Sequence, residues 1–437
     1  MLKDFAELIN LMITILLKGG WMGFVVGLIY MFWLLYKDFI QLRWYHTLPW
    51  LFLKVTVPKE NEKSPLAFEE ILNQLHSVQE HLTWAEKYLE GQFQIWFTWE
   101  VTSIGGVIGN YVRILPKHRN VFEAAVYSQF PDAEIEDAED YFQKLPKYHT
   151  DTSDFDIFAF SFRYINETYY PTRTYYDFEH ATAETFVDPI AGMWEELSKI
   201  SPYEMYVIQF VLRPVGDEHW KEKGRQLVKR LKGEPEALKK PTDTFGKVVG
   251  AILGPVLDIF VQPGEGASAP TEKYEPPSLM LHLTEDEKLV INMIEKKLSK
   301  WGYQTKIHCL YVAPREKYNP TVINRGVIGA FKSFGANNLN ALKPLMKRWT
   351  KVNYFLFKEL ERPIVELRLK YRKRKYMSLI RRRWYFWGPP PNIMSVEEIA
   401  SYLHFPGIEV TVPHIESVTV AKIQPPPELP ISDEVPL

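Results

Sequence analysis

The chain has 437 residues, 46 % apolar and 24 % charged, with a net charge of −2. These values describe core-forming material and exclude a largely disordered chain, a polytopic membrane bundle and a uniformly basic nucleic-acid binder. The single cysteine, Cys309, excludes an intrachain disulfide, and its apolar setting, KIHCLYVA, reads as a small buried hydrophobe.

The first organised stretch is GGWMGFVVGLIYMFWLLY, residues 19–36, which is 18 residues without a charge. At about 1.5 Å of rise per residue it just crosses a hydrocarbon core of roughly 30 Å. It predicts one N-terminal transmembrane helix, with residues 1–48 as membrane anchor. A cleaved signal peptide is the competing reading. Bulky Trp33 and Tyr36, where small residues should mark a cleavage site, count against it. Lys37, Arg43 and Lys54 follow the span, whereas Lys3 and Lys18 precede it; the excess of basic residues downstream predicts a single-pass protein of the cell membrane with a cytoplasmic body. Gly19, Gly23 and Gly27 recur every fourth residue on one helix face and predict self-association into a homo-oligomer, unless they reflect only the general abundance of glycine in membrane helices.

Beyond the anchor, WLFLKVTV (50–57) reads as a strand closed by Pro58, and Ser64 with Pro65 opens a helix. Strand-like runs FQIWFTWEV and VIGNYVRIL flank Gly105 and Gly106 as a hairpin, followed by Pro116 and a helix around NVFEAAVYSQF. A helix starting at Asp188 and Pro189 leads to the strand MYVIQFVLR, Pro214 and the helix EHWKEKGRQLVKRL. A helix capped by Thr284 and Glu287 leads to TKIHCLYVA, Pro314 and a helix through VINRGVIGAF. The three prolines, 98 and 100 residues apart, raise the question of a degenerate repeat, although loop prolines also coincide by chance. Residues 245–261 are apolar but carry Lys247, Pro255 and Asp258, leaving open a second span, a core helix or a membrane-apposed segment.

The expected fold is therefore α+β, a transmembrane helix followed by helix–strand units with mixed or antiparallel sheets. The segments are an α+β domain (49–232), a breaker-rich linker or insert (233–281), an α+β unit (282–340), a basic-aromatic segment (341–391), and a short helix with a proline-rich tail (392–437). The basic-aromatic segment concentrates Arg368, Lys370, Arg372, Lys373, Arg374, Lys375, Arg381, Arg382 and Arg383 beside Trp384 and Trp387. Cations next to aromatics suit a DNA backbone with stackable bases and suit anionic lipid headgroups equally; a solvated basic helix face is the plain alternative. Ser395 and Glu398 form a capping box for SVEEIASYLHF.

Catalytic and metal patterns are missing from the sequence. GVIGAFKS places lysine too far from glycine for a phosphate-wrapping loop, and there is no GxSxG or HExxH. His149, Asp151, Asp154 and Asp156 lack the glycine of a calcium loop, and the acidic run from Asp132 to Asp140 reads as solvated surface. The expectation is a non-enzyme without cofactor or metal.

Three pieces carry a family resemblance: VPKENEKSPLAFEEILNQLH after a single membrane helix, YVRILPKHRNVFEAAVYSQFPDAEI, and NIMSVEEIASYLHFPGIEVTVP followed by PPPELP. Together they resemble the membrane-proximal, non-ATPase region beside or before the motor domain of type IV secretion and conjugation-type DNA-translocating ATPases. In that family a segment similar to EEIASYLHFP leads into the motor, whereas this sequence ends at Leu437, where a motor would begin. The resemblance implies a structural or assembly component of such a machine, acting with a separate ATPase. It also implies that Glu397, Glu398, Leu403, His404, Phe405 and Pro406 form a docking element. A membrane-tethered nucleic-acid-binding module is the alternative.

Overall fold

The computed structural model describes residues 21–58, 63–145, 148, 152–179, 188–233, 283–346, 348–351, 354 and 358–407. In chain order these form α1 (Trp21–Thr47), β1 (Leu51–Thr56), α2 (Pro65–Leu75), β2 (Phe97–Ile104), β3 (Val107–Ile114), α3 (Arg119–Gln129), β4 (Glu134–Asp137) and β5 (Phe155–Tyr164). They continue as α4 (Ala191–Ser198), β6 (Met205–Pro214), α5 (Asp217–Leu231), α6 (Glu285–Ser299), β7 (Gly302–Pro314) and α7 (Thr321–Ser333). The last elements are β8 (Leu342–Pro344), α8 (Lys358–Arg382), β9 (Asn392–Ser395) and α9 (Val396–Tyr402). The architecture is α+β.

Local chemistry sets the boundaries. Ser64 Oγ accepts from Leu66 N and Pro65 occupies the first turn of α2, which buries Phe68, Ile71, Leu72 and Leu75 at helical spacing. Thr284 and Ser395 close full capping boxes with Glu287 and Glu398. Asp188 Oδ1 accepts from Ile190 N just ahead of α4. The β2–β3 turn has φ of +61° at Gly105 and +88° at Gly106, the two positive values a tight twisted hairpin needs. A Cβ at Gly106 would also stand 3.0 Å from the Ser198 carbonyl.

All nine strands join one antiparallel sheet ordered β4-β1-β3-β2-β6-β7-β5-β8, with β9 also pairing β7. The 13-residue β7 carries β5 along residues 307–314 and β9 along 302–305. The expected units 49–232 and 282–340 thus contribute neighbouring strands to a single sheet. Pro116, Pro214 and Pro314 do follow or close β3, β6 and β7, yet the next helices diverge: α5 packs on α6, while α7 packs on α4. The joints recur and the packing does not. Half of the acidic residues in that run, Glu134, Glu136 and Asp137, lie in the edge strand β4, where charge discourages edge-to-edge pairing.

One sheet face carries the main core: Trp99, Phe160, Ile208, Phe210, Ile307 and Cys309 pack under α2, α3, α4, α7 and α9. The opposite face lies under α8, the C-terminal end of α1 and the chain following α8. Residues 93–96, expected as the start of a strand, are instead packed against that end of α1, and β2 begins at Phe97. The segment 245–261, Gly19, His149 and Asp151 lie outside the described residues.

The span also extends beyond the expected residues 19–36. Val25–Thr47, 23 residues containing an 18-residue window of mean hydropathy 1.4, is long and apolar enough to cross a membrane. Every side chain described between Trp21 and Leu35 is exposed, whereas Tyr45 is buried and Trp44 half-buried against the body. The helix therefore serves two environments in succession.

Candidate functional site

The sheet face under α8 is crossed by a buried polar row. Pairing places Glu100 of β2 beside Gln209 of β6, Gln209 beside His308 of β7, and His308 beside Ser161 of β5. Gln209 Nε2 donates to Glu100 at 2.8 Å and to the Ile380 carbonyl at 3.1 Å; Ser161 Oγ lies 2.7 Å from His308 Nδ1. Burial, with Lys306 nearby, pushes His308 down to about 3, so its ring is neutral at physiological pH. Although Ser161 and His308 touch, both are fully buried beneath α8, so the pair registers the helix on the sheet instead of facing a substrate.

Arg383 closes this arrangement. Arg383 N donates to the Ile380 carbonyl and Trp384 N to the Leu379 carbonyl, the two bonds of a Schellman helix end. That motif needs a left-handed residue, normally glycine, and Arg383 takes it with φ of 54°. The reason is its side chain: Nε and Nη2 donate to Glu100 at 2.6 and 3.0 Å, and Nη1 and Nη2 to Asp140 at 2.6 and 3.0 Å. Lys306 then holds the following turn through the Tyr385 and Trp387 carbonyls, and Lys373 binds both Asp156 oxygens at 2.6 Å.

The basic-aromatic segment thus divides. Arg383 and Lys373 are internal ion-pair partners, a correction to their reading as contacts for phosphate, and Arg372 donates to the Trp349 carbonyl. Arg368, Arg374, Lys375, Arg382 and Trp387 are exposed, and Lys370, Arg381 and Trp384 are half-buried. On a helix of 3.6 residues per turn, buried Lys373, Tyr376, Met377 and Ile380 mark one side of α8. The exposed Leu360, Ile364, Leu367 and Tyr371 form a stripe on the opposite side. Arg368, Lys375 and Arg382 flank that stripe along one margin, and Lys370, Arg374 and Arg381 along the other.

Where α1 meets this end of α8, a cavity of about 690 Å³ opens between Asp38, Leu42 and Tyr45 of α1 and Arg113, Arg382 and Trp384. Arg113 lies 3.9 Å above the Trp50 ring, and its Nη1 donates to the Arg382 carbonyl at 3.2 Å and to Tyr45 Oη at 3.5 Å. Among the described residues no carboxylate forms an ion pair with it. Burial holds the Arg113 pKa below its ordinary value.

In comparison with known families, the family described as "Domain of unknown function (DUF8128)" matches residues 45–417. The chain belongs to the DUF8128 family. No curated protein matches it. The DUF8128 match starts at Tyr45, where α1 becomes buried, and takes in the whole sheet, α8 and α9.

In this DUF8128 chain the expected docking element lies inside the fold. Glu397 accepts from Thr174 at 2.5 Å and pairs with Lys296 and Lys300. Burial opposes its charge, but these partners prevail and lower its pKa. Glu398 pairs with Lys297, both side chains 1 % exposed. Leu403 is buried, Phe405 meets Phe68, Trp99 and Phe130, and His404 Nε2 lies 3.2 Å from Asp188. Only Pro406 is half-buried at the edge. The segment docks onto its own body, as α9 does on α2, and presents little to a partner. Gly27 faces nothing among the described residues: a Cβ there would meet none of their atoms within 4 Å. Residues that sequence reasoning missed are Arg113, Glu100 and Asp140; the isolated charges inside apolar strand runs at Glu100 and Arg113 were the available signal.

Proposed function

We propose that this DUF8128 protein is a membrane-anchored structural or assembly component whose body is held against the anionic, cytoplasmic face of the cell membrane by the outer side of α8. The supporting observation is the division of α8: its C-terminal half is fixed to the sheet through Tyr376, Met377 and Ile380, and its N-terminal half carries an exposed apolar stripe, Leu360, Ile364, Leu367 and Tyr371, with basic residues to either side. That pattern suits an interfacial helix, with apolar residues entering the headgroup boundary and lysine and arginine meeting anionic lipid. The cavity shared by α1 and Arg382 brings the basic end of α8 to the point where α1 leaves the body.

Cys309 is fully buried, so a cysteine introduced at Leu367 can be labelled selectively. A polarity-sensitive dye there, in full-length chain reconstituted into nanodiscs containing anionic lipid, should shift to the blue and be quenched by brominated acyl chains. The effect should weaken in nanodiscs of zwitterionic lipid alone and at high salt. An unquenched, solvent-like dye in both lipids refutes apposition; protection instead by duplex or single-stranded DNA favours the nucleic-acid alternative.

The resemblance in sequence extends the proposal to a partner, a separate DNA-translocating or secretion ATPase. Since residues 397–405 are internal, that ATPase would meet exposed surface, not the pre-motor-like motif. Purification from native membranes in mild detergent should recover such an ATPase with the chain, and the mass of the complex should show more than one copy if the Gly23 and Gly27 face associates. Recovery of a lone monomer removes both parts of the partner proposal.

A further inference from the structure

The cavity at the foot of α1 has a chemistry that the proposal above does not use. Its floor holds the Arg113 guanidinium, stacked on Trp50 and fixed by Tyr45 and the Arg382 carbonyl, with unused N–H donors and no carboxylate partner among the described residues. Arg113 is half-buried, and a cation withdrawn from water is ordinarily paired, because desolvation otherwise costs up to several kcal/mol in order of magnitude. Glu100, buried, and Asp140, half-buried, feel the Arg113 charge but make their ion pairs with Arg383. A second guanidinium, Arg382, stands exposed at the rim beside Trp384. One wall is α1, whose Leu42 and Phe39 are exposed; beyond the charged pair Lys37 and Asp38, the side chains from Leu35 back to Val25 are uncharged and exposed. A polar, cationic floor therefore opens directly alongside the helix that is apolar enough to cross the membrane.

We propose that this cavity binds the phosphoester headgroup of an anionic phospholipid, with Arg113 and Arg382 on the phosphate and the acyl chains running along α1. Paired arginine donors match phosphate oxygens, the aromatic walls suit the glycerol region, and about 690 Å³ lies within the range of small-molecule sites. The inference rests on α1 spanning a membrane and is independent of whether α8 lies against one. Asp38, exposed at the rim, opposes an anion and makes the site selective by charge balance instead of by capacity.

The test is native mass spectrometry of the full-length chain released from nanodiscs of phosphatidylcholine and phosphatidylglycerol. Wild type should retain one phosphatidylglycerol, Arg113→Gln should retain at least about ten-fold less, and Asp38→Asn should retain more. Because Arg113 also supports Trp50, Arg382→Glu serves as a second variant: its side chain is exposed and its carbonyl bond to Arg113 is unchanged. Equal retention by wild type and Arg382→Glu overturns the proposal. Protection against thermal unfolding by inorganic phosphate alone, matching that by the lipid, also overturns it in favour of a soluble anion. Loss of dye quenching at residue 367 with lipid retention intact leaves this site standing and removes only the α8 proposal.

Discussion

Glu398→Ala should destabilise the folded body by about 3–5 kcal/mol, the range for removing one member of a buried ion pair. Glu398 Oε1 accepts from Thr172 N at 2.9 Å, Tyr164 Oη at 3.1 Å and Lys297 Nζ at 3.2 Å, while Oε2 accepts from Ser395 N at 2.8 Å. One carboxylate thus joins α6, α9 and the chain after β5, and it also caps its own helix. After its removal the Lys297 ammonium, whose pKa burial already lowers, retains the Thr168 carbonyl at 2.7 Å but loses its counter-charge. Urea unfolding of the detergent-solubilised chain, followed by near-UV circular dichroism, measures the loss. Lys297→Met with Glu398→Leu should recover most of it, because replacing both partners leaves no orphaned charge. A single variant within about 0.5 kcal/mol of wild type would mean that the pair is hydrated and that α9 is not locked to the core.

The extent to which the sequence disclosed this architecture follows the range of each interaction. Helix starts were legible because their chemistry spans a few residues: Ser64 with Pro65, Thr284 with Glu287, and Ser395 with Glu398 all cap as their spacing predicts. The Gly105–Gly106 hairpin was legible for the same reason. β5 was not, since FDIFAFSFRY is covered on both sheet faces and so lacks the alternation that marks a half-exposed strand. Nor was the assembly of one sheet, which depends on β7 finding both β6 and β5. The basic run was legible as a run but not in phase: Lys373 lies on the side of α8 marked by Tyr376, Met377 and Ile380, and helical periodicity applied residue by residue would have turned it inward. EEIASYLHF read correctly as a capped helix, yet the cap glutamate's second oxygen goes to Lys297, 101 residues away. The cavity joins α1 to residues more than 300 positions later, beyond any local pattern.

Arg383 gives the second large effect, and here two substitutions separate backbone from side chain. Arg383→Ala should cost about 3–5 kcal/mol, because Glu100, fully buried, loses the guanidinium that neutralises it and keeps only Thr98, Tyr141 and Gln209 as hydrogen-bond donors. Arg383→Gly loses the same ion pairs but relieves the left-handed backbone, a strain of about 1–2 kcal/mol in a residue bearing a Cβ. Glycine should therefore be the less damaging replacement by about 1 kcal/mol, although it is the better helix breaker elsewhere. The same cluster predicts a pH dependence. Burial raises the Asp140 carboxyl, but the hydrogen bond and charge of Arg383 outweigh it and hold the net pKa below the ordinary value. Asp140 thus contributes stability that is fully present above the unfolded carboxyl pKa of about 3.9 and is lost as pH falls through the lower folded value. In Arg383→Ala that contribution should shrink at neutral pH, so the variant's unfolding free energy should fall less steeply below pH 4 than that of wild type. If alanine and glycine are equivalent and the acid limb is unchanged, neither the left-handed helix end nor the ion pairs hold α8 on the sheet. The double-sided geometry of α8 would then rest on Tyr376, Met377 and Ile380 alone.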